Sequence, residues 1–180
     1  MDTDLVIRAQ HGDEEAFASL AAAIGDRLHS VAQRILRDVD VAEDATQQAL
    51  LSIWRDLPQL RDPEKFDAWS YRLLLRACYA EGRRTRKWSP SLRILPPTAV
   101  SSDQSGTVLD RDELERGFRR LSIDHRAVVV LYHYMDMPID QVAEALGIPP
   151  GTVRSRLHYA MQGMRAALEA DARPVSEVAG

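Results

Sequence analysis

The chain has a single cysteine, Cys78, in 180 residues. An internal disulfide framework and a cysteine-based zinc site are therefore excluded. The five histidines, His11, His29, His125, His133 and His158, are scattered. No HExxH pair and no Gly-rich phosphate loop occurs, so neither a metal nor a nucleotide cofactor is expected. Adjacent carboxylates such as Glu43 and Asp44 face different directions on a helix and make no acid–base pair. Nothing here supports an enzyme. No apolar run approaches the roughly 20 residues of a membrane span. The opening residues MDTDLVIRAQ lack the basic flank and apolar core of a secretion signal, so a cytoplasmic location and no membrane insertion are expected. Period-two alternation and Asn-Gly turns are missing as well, which leaves an all-α fold.

Acidic residues outnumber basic ones, 27 to 23, for a net charge of −4. Its distribution is uneven. Residues 1–71 carry net −7, residues 72–93 carry net +6 with Glu81 as the one acid, and residues 94–180 carry net −3. A short basic block in an acidic chain is a local electrostatic footprint, while the remainder repels phosphate.

The residues up to 87 have helical periodicity throughout. Asp13 suits the N-cap of a helix with Phe17, Leu20, Ile24, Leu28, Val31 and Ile35 on one stripe. A third helix is expected from near Asp40 to Pro58, and a fourth after Asp62 as N-cap and Pro63 at its first position. Residues 88–109 are rich in Pro, Ser and Thr without sustained period, and are expected to be a flexible linker. Helices resume in 110–172, and a frayed tail is expected at 173–180. Within MPIDQVAEALGIPPGTVRSRLHYAMQGM, Ile139, Val142, Ala143 and Leu146 form one stripe. Gly147 closes that helix and Pro150 opens the next, a helix–turn–helix pattern. The expected architecture is two small helical domains joined by an extended linker.

Three constellations could carry function. On the last helix, apolar residues from Val153 through Leu157, Ala160, Met161, Met164 and Leu168 centre at about 25° from Val153. Thr152, Ser155, His158, Tyr159 and Gln162 then point outward, with Arg154 and Arg156 on the flanks. That layout suits a major groove, with short side chains toward base edges and guanidiniums toward phosphates; it equally suits a solvated helix face. In the basic block, Arg72, Arg76, Arg83, Arg84, Arg86 and Lys87 interleave with Tyr71, Tyr79 and Trp88. Cations track a nucleic-acid backbone and aromatic faces stack on unpaired bases; a cationic helix end favoured by the macrodipole is the plainer reading. On the third helix, Asp44, Gln47, Gln48 and Leu51 share a side opposite Ala42, Ala45 and Ala49, which fits a protein partner or a solvated surface.

Two longer stretches carry a family resemblance. AEDATQQALLSIWRDLPQLRDPEKFDAWSYRL resembles region two of the small, extracytoplasmic-function bacterial RNA polymerase sigma factors. LSIDHRAVVVLYHYMDMPIDQVAEALGIPPGTVRSRLHYA resembles their region four, including the G-T-V-[KR]-S-R-L signature. Together they cover about residues 4–88 and 110–170. The resemblance implies a four-helix domain in 1–87 and a helix–turn–helix domain in 110–172. It implies that Asp44, Gln47, Gln48, Leu51 and Trp54 dock on the β′ coiled coil of core polymerase. Arg61 and Lys65, in the loop from Leu60 to Lys65, would meet the single-stranded minus-ten element with Arg72, Arg76, Tyr79, Arg83, Arg84, Arg86 and Lys87. Thr152, Arg154, Ser155, Arg156 and His158 would read the minus-thirty-five duplex, with the β flap as a second polymerase contact. An anti-sigma factor is the implied regulator. The alternative from another class is a helix–turn–helix regulator acting on duplex operators without polymerase.

The chain departs from the family pattern in places. Leu75-Arg76 stands where many relatives carry Arg-Asn, Ala80 where they carry Asp, and Gln48 where Glu is common. Gly82 interrupts the fourth helix at a cost of about 1 kcal/mol against Ala.

Overall fold

The computed structural model describes residues 2–88 and 115–171. Beyond Trp88, the expected linker and the expected tail lie outside the described residues. The fold is all-α, and no strand occurs among the described residues. Helix α1 spans Thr3–Gln10, α2 Glu14–Leu36, α3 Val39–Asp56 and α4 Phe66–Trp88. Residues 115–120 are helical. Then come α5, Ile123–Val129, α6, Ile139–Leu146, and α7, Pro150–Asp171.

Local chemistry explains most boundaries. The Asp13 carboxylate accepts the Ala16 N–H at 2.9 Å, satisfying a donor that the first turn of α2 leaves free. Asp38 does the same for α3, accepting from Val41 at 3.1 Å, so that helix starts just before the expected Asp40. Asp62 caps a 3-10 turn, Pro63–Lys65, that runs directly into α4. Gly147 ends α6 in the left-handed region at φ 66°, and Pro150 opens α7, as the sequence pattern predicts.

One stretch departs from regular helix. After α5, Val130–Tyr134 forms a π turn, and the Met135 N–H donates to the Val130 carbonyl at 3.0 Å across five residues. Such a turn inserts one residue into the ladder and rotates the chain beyond it. Tyr134 is thereby placed under the Arg34 guanidinium of α2, which lies 3.6 Å from the ring centroid.

The core belongs to both halves of the chain. Leu28, Ile53, Phe66 and Leu74 from the first half and Leu131 and Val142 from the second lie in one buried cluster. Helix α4 is its axis, packing on α3 along one side and on α6 along another. The alanine stripe of α3 is fully buried at Ala42, Ala45 and Ala49, which lets backbones approach closely.

Ile53 and Leu51 test which side of α3 holds the fold. Ile53 is fully buried, so Ile53→Ala should cost about 2–5 kcal/mol. Leu51 is 61% exposed, and Leu51→Ala should change stability by less than about 0.5 kcal/mol. Urea unfolding followed by circular dichroism measures both; equal losses would contradict this assignment of faces.

Candidate nucleic-acid interface and docking face

The five residues expected to dock a partner share one side of α3. Asp44, Gln47, Gln48, Leu51 and Trp54 are all exposed and fall within about 120° of helix circumference. The buried residues Ala45, Ala49 and Ile53 occupy the opposite side. Gln47 Nε2 donates to Glu43 Oε1 at 3.3 Å, one turn away. Trp54 is 43% exposed and packs one ring edge on Phe17, with centroids 4.5 Å apart. It is thus an anchored aromatic with a free face. Leu51 and Trp54 are large apolar groups set among polar ones.

The basic block is divided by the fold. Arg61, Lys65, Arg76, Arg83 and Arg84 are exposed. Arg84 lies 3.5 Å from Glu81, one turn earlier. Arg72 turns toward the second half of the chain, where its Nε and Nη2 donate to the Glu144 carbonyl at 3.2 and 2.9 Å. Tyr79 is half-buried, and its hydroxyl donates to Asp124 Oδ1 at 3.2 Å. Tyr71, read from the sequence as a stacking platform, is only 3% exposed and is a core residue. Its hydroxyl faces Met135 Sδ at 3.9 Å and Arg27 lies over its ring, so no base can reach it. The side chains of Arg86, Lys87 and Trp88 lie outside the described residues.

Between α3 and α4 runs an open groove of about 470 Å³, with Gln48 and Ser52 on one wall and Arg76, Ala80 and Arg84 on the other. The groove joins the docking face to the exposed arginines.

The start of α7 presents the expected layout with two corrections. Arg154, Ser155, His158, Tyr159 and Gln162 are exposed, Thr152 is half-buried, and Val153 and Ala160 are buried. Ser155 Oγ donates to the Thr152 carbonyl at 3.0 Å, leaving its lone pairs outward. Met161, placed by periodicity on the apolar stripe, is 44% exposed. At about 80° from Val153, Met161 sits on the edge of the stripe, while Ala160 at its centre is fully buried. Arg156 does not flank the outward face freely. Its guanidinium pairs with Asp124 Oδ1 at 3.0 Å.

Asp124 is the residue that sequence reasoning missed. In the first turn of α5, after the Ser122 cap, an acid reads as a macrodipole partner. Only the fold brings it to Tyr79 and Arg156 together.

The described residues thus pair a helix–turn–helix whose outward face is exposed with a helical bundle whose third helix carries a mixed polar and apolar surface. Residues 20–88 match the family model of Sigma-70 region 2, and residues 111–163 that of Sigma-70, region 4. The chain is similar to the ECF RNA polymerase sigma factor SigL of Mycobacterium tuberculosis, at 32% identity with 88% of this chain and 94% of that protein covered. It also resembles SigW of Bacillus subtilis at 25% identity, covering 88% and 91%. Among solved structures, CnrH in complex with the cytosolic domain of CnrY shares the fold, with a TM-score of 0.68 and 24% identity over 95% of this chain and 99% of that one. The sigma factor RpoE of Bartonella quintana, solved with the anti-sigma factor NepR, gives a TM-score of 0.69 at 23% identity, over 86% and 98%. The chain belongs to the extracytoplasmic-function RNA polymerase sigma factors of the sigma-70 family. Among the described residues, no helix is long and apolar enough to cross a membrane.

Helix α4 makes the fold sensitive to alkali. Burial pushes the Cys78 thiol from 9.0 to about 12 and the Tyr71 phenol from 10.0 to about 12. Burial, reinforced by Asp124, raises Tyr79 too. All three stay protonated in the folded chain where the unfolded chain ionises. Their contribution is complete below about pH 9 and is lost as pH rises toward about 12. Urea midpoints should therefore hold to about pH 8.5 and fall by about pH 10.5. A constant midpoint across that interval would contradict it.

Proposed function

We propose that this chain binds core RNA polymerase and directs promoter-specific transcription initiation without catalysing any step itself. The observation that carries the reading is the exposed pair Leu51 and Trp54 on the polar face of α3, on the part of the chain that matches region 2. Exposed large apolar groups ringed by polar ones are the usual core of a protein interface. Asp44, Gln47 and Gln48 form the rim of this contact with the β′ coiled coil, and the helix–turn–helix half meets the β flap.

The chain then divides its work. Residues 1–87 dock polymerase and capture melted minus-ten bases; 110–172 grip the minus-thirty-five duplex; 88–109 connect them. Strand opening is stabilised by product capture, since extruding a base costs a few kcal/mol that stacking and backbone contacts offset. Arg61, Lys65, Arg76, Arg83 and Arg84 are the exposed cations for that strand, with Arg86 and Lys87 further along α4. On α7, Ser155 and His158 face base edges and Arg154 faces phosphate. Control by an anti-sigma factor in the cytoplasm is part of the same reading, and is supported by the complex of the related RpoE.

Charge reversal at Asp44 combined with Leu51→Ala should weaken core-polymerase binding at least about tenfold while circular dichroism stays unchanged. With purified core enzyme, Ser155→Ala or His158→Ala should shift the preferred upstream element by roughly 1–3 kcal/mol per base contact. Arg154→Ala should weaken all promoters evenly. Undiminished polymerase capture together with an unchanged upstream preference would overturn the reading.

A further inference from the structure

The loop that carries Arg61 has no helix of its own to hold it. Leu57–Gln59 forms a 3-10 turn at the end of α3, Leu60 is extended at φ −67° and ψ 111°, and Pro63–Lys65 leads into α4. Residues 60–62 alone lie between the two turns. The Leu60 carbonyl cannot accept from the residue three positions on, because that residue is Pro63 and has no N–H. A part-buried carbonyl without a donor is costly, so the loop needs a donor from elsewhere.

Gln10 supplies it. This half-buried residue ends α1, and its Nε2 donates to the Leu60 carbonyl at 2.7 Å and to the Leu57 carbonyl at 3.2 Å. One side-chain amide thus spends both its N–H groups on backbone 50 and 47 residues away. The Leu57 carbonyl also accepts the Leu60 N–H at 3.1 Å, which ties the turn to itself as well as to α1. On the other side of Arg61, the Asp62 carboxylate accepts the Glu64 N–H at 3.1 Å and the Asp62 carbonyl accepts the Lys65 N–H at 3.1 Å. Arg61 is held between two fixed peptides, and its exposed side chain starts from a set place.

Helix α1 is itself well anchored. Val6 and Ala9 are buried. Arg8 Nη2 and Nε bond Asp13 Oδ2 at 2.6 and 3.0 Å across the corner to α2. Gly12 turns that corner at φ 89°, a conformation that side chains disfavour. A stiff corner therefore carries one amide to the loop, independently of the exposed face of α3.

We propose that Gln10 is a positioning residue for minus-ten capture, holding the Leu60 backbone so that Arg61 meets the unpaired strand in a fixed direction. The proposal rests on the initiation reading above and deepens it with a residue that precedes the region 2 match at 20–88. Gln10 touches no DNA and acts through Arg61. A loop held in place before the strand arrives loses less freedom on binding, so removing the amide weakens capture.

Gln10→Met keeps the length and removes the donor. Gln10→Asn draws the amide back by one methylene, and takes its place if Gln10→Met does not fold. Ile35→Val, buried near the far end of α2, controls for a loss of stability alone. The probe is a single-stranded oligonucleotide spanning the minus-ten element of a promoter that the wild-type chain transcribes, bound by the full chain on core polymerase. Gln10→Met should weaken its capture about five- to tenfold, with core affinity unchanged and faster hydrogen exchange at the Leu60 amide. Arg61→Ala should weaken capture to a similar extent, and the double variant no further, because residues acting as one unit do not add. Ile35→Val should leave capture unchanged, and Arg61→Ala should keep its full effect in that background. Normal capture by Gln10→Met, or losses that multiply in full in the double variant, would overturn the proposal. An equal loss in Ile35→Val would reduce Gln10 to a residue of the fold and overturn it too. Normal capture by Arg61→Ala, while the wild type still initiates at the promoter, would overturn the proposal and leave the initiation reading standing. If the wild-type chain directs no transcription with core polymerase, that reading fails and the proposal with it.

Discussion

Leu73, Leu74 and Leu75 are all buried, and consecutive residues on a helix point about 100° apart. Three in a row therefore commit about 200° of α4 to the interior. A helix on the edge of a bundle can bury roughly half that arc. So α4 must be covered from more than one side, and the fold supplies α3 on one and α6 on the other. The arc left over carries Arg76 and Arg83 to solvent. The exposure of these two arginines follows from the burial of the leucines that precede them.

The docking face depends on the same packing from the other side. Buried Ala42, Ala45 and Ala49 seat α3 closely on its neighbours, and small side chains leave little room for the helix to roll. Rotation by even one residue position would bring Leu51 toward the core and Ile53 toward solvent. The five residues proposed to dock polymerase sit on one helix face and keep their mutual spacing without a partner, which lowers the ordering cost of binding in that reading. Phe17 then fixes Trp54 without hiding it.

The features legible in the sequence were local. Asp13, Asp62, Gly147 and Pro150 act on groups within a few residues, so their roles follow from the pattern itself. The outward direction of Ser155 and His158 follows from helix geometry alone. The misread residues all depend on distant partners. Tyr71 alternates with arginines as a stacking residue would, but Met135 and Arg27 close over it. Met161 keeps helical register but lies at the edge of the stripe, where it is 44% exposed. Arg156 has a flanking angle that also allows pairing with an acid of its own domain, and it does pair with one; which acid was not legible, since Asp124 lies some thirty residues earlier in the chain. The π turn at Val130–Tyr134 has no signature in residue type, since it serves packing against Arg34 rather than local propensity.

The charge pattern takes on a sharper meaning in three dimensions. Along the sequence, residues 72–93 are a block of net +6. In the fold, Arg72 is tied to Glu144 and Arg84 is close to Glu81, while Arg76 and Arg83 remain exposed. Screening confines each exposed charge to about 8–10 Å at ordinary salt, so the basic residues act on DNA only at close range. The net charge of −4 works against binding of the isolated chain to DNA. A protein built this way is poor at wandering along DNA alone and effective only when a larger partner holds the duplex against it. The acidic excess thus acts with the docking face of α3: the first discourages solitary binding, and the second supplies the partner that overcomes it.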